Sequence, residues 1–229
     1  MSAGPLLFLA TFFAMSVSWL SFVLVPELQL GRQVEVATMD NTQYPSMQPG
    51  MARQGEVVYR ANGCFYCHTE QVRPEGYGTD VERGWGARKG RVQSVDEDYL
   101  FEQTVMLGCQ RVGPDLANIG CRQTNAAVLL KHIYDARLVL PNSIMPPYRF
   151  LFEERLLKPG QAPAADALDL GDKAPLGKEV VPTEQARQLA AYLLSLHETG
   201  VIFETPPPQP PPTNAPAAAT NASATNTAK

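Results

Sequence analysis

Two cysteines three positions apart, followed at once by a histidine, carry the most pointed chemistry in this chain: Cys64-Phe65-Tyr66-Cys67-His68. On one helical turn, side chains at i and i+3 share a face, about 5–6 Å apart at Cβ. Both sulfurs can then add across the two vinyl groups of a single porphyrin, with the adjacent imidazole aimed at its iron. The pattern reads as attachment of one covalent haem c, through Cys64 and Cys67, with His68 as an axial ligand.

Two other chemistries use paired cysteines. A redox Cys-x-x-Cys pair needs no histidine and prefers a βαβ setting, which this sequence lacks. Zinc needs a fourth ligand and usually a second Cys/His pair at ligand spacing, and Cys109 and Cys121 are not so spaced. The iron's second ligand must come from farther along the chain, from Met145, Met106, Met51, His132 or His197. Met145 stands in Pro141-Asn142-Ser143-Ile144-Met145-Pro146-Pro147, where proline fixes φ and removes donors. Such an extended strap can hold a thioether across a haem face, and methionine ligation raises the reduction potential. Met106 lies in an apolar run that core packing explains. His132 reads as a helix-surface residue and His197 as a helix-end residue.

Several elements must position these groups. Residues 5–25 contain no charged side chain, and their 21 positions span about 31 Å as a helix, enough to cross a bilayer core. A signal peptide would show a basic start, a shorter apolar stretch and a small-x-small cleavage site. A retained anchor is the expectation, and its flanking charges leave the orientation open. Residues 28–49 read as an irregular stalk. Helices are expected over 50–62, 99–107, 125–139 and 183–198, the last capped by Thr183 and followed by Gly200. In it Leu189, Tyr192, Leu193 and Leu196 form one apolar stripe. Residues 69–98 read as a surface excursion and 153–181 as a loose segment. From Thr205 the chain is Pro-rich and then Ala/Thr/Asn-rich, a composition that cannot bury a core.

The 229 residues suffice for one ordinary domain with extensions. A formal net charge of −4 without a basic run gives no footing for nucleic acid. Four cysteines are too few for a disulfide scaffold. Cys109 and Cys121 bracket the Gly113-Pro114-Asp115-Leu116 loop, and in an oxidising compartment a disulfide there would stabilise by roughly 3 kcal/mol. Arg73 and Arg111 are candidates to pair with haem propionates, since guanidinium suits bidentate carboxylate contact.

Gly55 and Tyr59 before the cysteines, the Gly113–Leu116 loop, Met145-Pro146 and the 186–196 helix together resemble a class I cytochrome c. The resemblance implies an all-α haem domain in which the first and last helices cross at Gly55, facing Tyr192 and Leu193. It also implies that the Pro114 carbonyl accepts the Nδ1 proton of His68. The anchor, Asn62-Gly63-Cys64 through Cys67-His68-Thr69-Glu70-Gln71-Val72-Arg73-Pro74, Arg111–Leu116 and Leu140–Pro146 are similar to the mono-haem cytochrome c subunit (subunit II) of cbb3-type cytochrome c oxidases. The loop 75–98, Cys109, Cys121 and the tail depart from that pattern.

That resemblance implies an electron-transfer subunit, not catalytic alone. Its partners would be a catalytic subunit holding haem b and copper, which reduces oxygen to water, and a di-haem cytochrome c subunit. It would hold one bacterial inner membrane through a single helix, with the N-terminus cytoplasmic and the haem domain periplasmic. The expected organisation is an anchor over 1–26, a periplasmic stalk over 27–49, a cytochrome c domain with inserted loops over 50–204, and a disordered tail over 205–229. A free-standing anchored electron shuttle is the alternative. A haem-based sensor would need an output domain, and the sequence offers none.

Overall fold

The computed structural model describes residues 3–31, 33–38, 41–86 and 93–197. The tail, residues 198–204 and Gly200 lie outside the described residues. The chain begins with a single helical rod, long and apolar enough to cross a membrane. It comprises α1 (Gly4–Trp19), a π-helical turn (Leu20–Leu24) and α2 (Val25–Leu30). Pro26 has no N–H for the Phe22 carbonyl, and just before it the ladder loosens: Val25 N–H reaches back to Leu20 O. Leu6 is 71% exposed and Phe22 81%. Among the described residues none buries this span, and its length and apolarity suit a lipid bilayer.

The stretch expected as an irregular stalk contains a small antiparallel pair, β1 (Val36–Ala37) with β2 (Gln43–Tyr44). The Tyr44 hydroxyl donates to Asp98 Oδ1 at 2.5 Å, which ties this strap to the domain.

The domain is organised on two crossing helices. In α3 (Gly50–Ala61) the residues Ala52, Gly55, Val58 and Tyr59 fall on one face and are buried. Helix α6 (Glu184–Ser195) begins at Thr183, whose hydroxyl accepts from Ala186 N at 3.4 Å. The helices meet at Gly55, where a Cβ would stand 1.9 Å from Gln188 O and 2.7 Å from Tyr192 Cβ. Only glycine admits that approach. The Tyr59 and Tyr192 rings pack 5.3 Å apart beside it. Two further helices, α4 (Ile119–Arg122) and α5 (Ala126–Tyr134), pack on α6.

Five expectations need correction. The helix expected over 125–139 stops at Tyr134, because Asp135 turns extended (φ −157°) and its carboxylate caps a separate 3-10 turn, Ala136–Leu138. No helix forms over 99–107; a 3-10 turn occupies Asp96–Tyr99, and Met106 is held by long-range pairing, with Glu70 N donating to Met106 O. The segment 69–98 is not all surface, since Thr69, Glu70, Val72 and Asp80 are buried. The loose segment 153–181 contains most of a hairpin, β3 (Phe152–Leu156) with β4 (Lys178–Pro182), in register Phe152↔Pro182. Its Val180 and Val181 are buried and Thr183 N bonds Leu151 O, so the hairpin leads directly into α6. With β1–β2 ahead of the domain and β3–β4 within it, the described residues combine helices with two short strand pairs and are not all-α. Long-range packing overrides local propensity at these places.

Candidate haem-attachment site

The attachment motif leaves α3 through Gly63, at φ +68°, and forms one tight turn. Cys64–Tyr66 is 3-10, Cys67 N and His68 N both donate to Cys64 O, and the two thiols with the imidazole therefore come from one local structure. Cys64 is half-buried against the core and Cys67 is exposed. Burial pushes the Cys64 thiol up to about 11.

The loop 113–116 holds His68 from several sides. Pro114 O lies 2.8 Å from His68 Nδ1. A carbonyl can only accept, so Nδ1 carries the proton and Nε2 keeps its lone pair for a metal. A Cβ on Gly113 would lie 2.3 Å from His68 Cε1, so bare backbone packs on the imidazole. Gly113 N donates to Cys67 O at 2.9 Å, and Leu116 N to Thr69 O at 2.7 Å. Asp115 is fully buried and accepts from Thr69 Oγ1, Gln71 N and Ala117 N, clamping the loop to the strand of chain beyond His68. Burial lowers the His68 pKa, opposed in part by the Pro114 carbonyl. The neutral imidazole that ligation needs is thus favoured.

Arg73 and Arg111 converge on a residue the sequence reading missed. Asp80 is fully buried and accepts from Arg73 Nε at 3.1 Å, Arg73 Nη2 at 2.9 Å and Arg111 Nη1 at 2.7 Å. Arg111 Nη2 also donates to Gln71 O. Burial alone would raise the Asp80 carboxyl; the Arg73 hydrogen bonds and the Arg111 charge outweigh it and hold it below the usual range. Nothing in local spacing marks Asp80, because its two partners lie on different segments.

Met145 is half-buried on an extended strap, its N–H bonded to Ser143 Oγ at 3.2 Å. Three residues on, Tyr148 packs against the same core as Cys64, and its N–H bonds Ile133 O. The strap therefore runs beside the attachment turn. Met106 is buried in the core and Met51 is 49% exposed. His132 is half-buried on α5, its pKa lowered by burial and by the nearby His68. His197 is exposed past the end of α6. The structure does not join Cys109 to Cys121 in a disulfide; Cys109 instead donates its N–H to Phe65 O.

The residues present fit a covalently held haem. One turn presents two thiols, the histidine offers only Nε2, and Gly113 leaves the ring a side-chain-free backing. Among the described residues no three His, Cys, Asp or Glu side chains are placed to share a metal ion, which leaves the zinc reading without a ligand set.

A comparison with curated proteins gives no match. A family model described as cytochrome C oxidase, mono-heme subunit/FixO, matches residues 3–173, from the anchor through the attachment turn, the 113–116 loop and the Met145 strap. That span covers well over half of the chain, and the chain belongs to the FixO family of mono-haem cytochrome c oxidase subunits.

Proposed function

We propose that this chain is the membrane-anchored cytochrome c subunit that relays electrons to the haem b–copper subunit of a cbb3-type oxidase, where oxygen is reduced to water. The observation that carries the reading is the clamp on His68, with Pro114 O on Nδ1 and Gly113 against the ring. A histidine oriented this firmly suits an iron that changes charge by one unit without rearranging its ligands. Bound haem supplies that one-electron couple. Cys64 and Cys67 would hold it covalently, and His68 and Met145 would supply the iron's ligands. Arg73 and Arg111, both bonded to Asp80, would be the residues to meet the propionates, and the crossing of α3 and α6 supports a class I cytochrome c frame.

Covalent attachment of haem takes place outside the bacterial inner membrane, so the domain beyond residue 50 is periplasmic and the N-terminus cytoplasmic. A di-haem cytochrome c subunit is the neighbour this reading places in the complex. Mild detergent extraction tests the assignment. The chain should co-migrate with a large complex containing haem b, haem c and copper. Migration alone, as one haem-stained band of its own mass, would make it a free-standing anchored shuttle.

A further inference from the structure

The strap that carries Met145 is a loop standing on the end of α5. Leu140 N donates to Ala136 O at 2.8 Å where the chain leaves the 3-10 turn, and Tyr148 N donates to Ile133 O at 3.1 Å where it returns. His132 is the residue just before the second of these feet. Its neighbours Leu129 and Ile133 are buried in the core, whereas His132 and Val128, one turn apart on α5, are half-buried beside that face. The nearby His68 depresses the His132 pKa, which sets the imidazole on the side of α5 toward the attachment turn. Among the described residues no hydrogen bond or ion pair engages its ring. The other polar groups around the strap are taken. Ser143 Oγ accepts from Met145 N at 3.2 Å, and Arg137 N and Arg149 Nη2 both donate to Asp135.

We infer that His132 is a positioning residue for the methionine ligand, its ring N–H donating to the thioether sulfur of Met145. A neutral imidazole always carries one N–H, and a half-buried donor without a partner loses hydration for no return. A thioether sulfur is a weak acceptor with two lone pairs, so one remains for a donor when the other binds iron. Such a donor does two things. It fixes which lone pair is turned to the haem, on a strap that is otherwise extended and free of helical structure. It also draws electron density from the sulfur, which favours the lower charge on the iron and raises the reduction potential. Each axial ligand is then oriented by one hydrogen bond, with Pro114 O accepting from His68 and His132 donating to Met145.

The inference rests on Met145 as the ligand, and its test separates the two. The detergent-extracted, haem-loaded chain is compared as wild type, His132→Phe and His132→Gln. Phenylalanine keeps the ring volume and removes the donor; glutamine keeps a donor without the ring. The readings are haem content, the methionine-to-ferric-iron charge-transfer band in the far red, and the midpoint potential. His132→Phe should keep the wild-type haem content with the band displaced and the potential below wild type, and His132→Gln should lie closer to wild type in both. A His132→Phe chain with the wild-type band and potential overturns the inference and leaves Met145 as ligand. Equal displacement in the two variants, or loss of haem from His132→Phe, overturns it as well, since the imidazole would then serve packing alone. A wild-type chain without the methionine band removes Met145 as ligand, and the inference with it.

Discussion

The imidazole of His68 lies against the backbone of Gly113 so closely that one added methyl carbon would stand 2.3 Å from Cε1. The same loop offers the Pro114 carbonyl to Nδ1, so packing and hydrogen bonding fix one ring orientation together.

Gly113→Ala should therefore move His68 or the loop, where a substitution elsewhere on the surface would not. The expected outcome is a chain that retains its anchor and helices but holds haem with an altered low-spin spectrum and a shifted midpoint potential. Spectropotentiometry of the membrane fraction measures both. A spectrum and potential equal to wild type would mean that the contact does not orient the ligand.

Met145→Ala removes the thioether proposed for the other face of the iron. The strap itself should persist, since the bond from Tyr148 N–H to Ile133 O and the packing of Tyr148 on the core do not involve Met145. A fall in midpoint potential with a shift toward high spin is expected, because methionine ligation raises the potential. An unchanged low-spin spectrum and potential would assign the ligand elsewhere, with His132 the next residue to replace.

Asp80→Ala strips two guanidinium groups of their shared carboxylate. Breaking a buried pair costs about 3–5 kcal/mol, and the partial exposure of Arg73 lets water recover some of that, leaving about 2–3 kcal/mol. The acid side follows the same bond. The folded Asp80 carboxyl lies below the usual value, so its contribution is present above about pH 3.9 and is lost as pH falls through the folded value. Thermal melts across acid pH should show this loss in wild type and not in the variant.

Much of this site was legible in sequence, for a physical reason. The turn 64–68 is local, and its chemistry follows from spacing alone. Gly55, the Thr183 cap and the apolar stripe of α6 are also local signals, and the helices form where those signals lie. Asp80 was illegible because its function lies in partners from two other segments. The β3–β4 hairpin was hidden because a long intervening loop, 157–177, separates its strands. The 99–107 run resembled a helix, yet Met106 is fixed by the backbone of Glu70, a contact no window of sequence contains.

Glu102 gives a pH signature of opposite sign to Asp80. Burial raises its carboxyl to about 7, while the unfolded group titrates near 4.3. Between those values the folded chain binds more protons, so stability should decline as pH rises from about 4.5 to 7 and then level. In the purified chain Glu102→Gln should flatten that decline. A slope unchanged by the substitution would show that Glu102 is ionised throughout.

Covalent attachment at one turn remains the central claim, and the mass of the denatured full-length chain tests it most directly. The expected chain is heavier by a single haem that survives acidic organic extraction, with the modified peptide carrying thioether bonds at both Cys64 and Cys67, and a Cys64→Ser/Cys67→Ser chain carries no haem. A chain at its unmodified mass, or haem that washes out on denaturation, would contradict it.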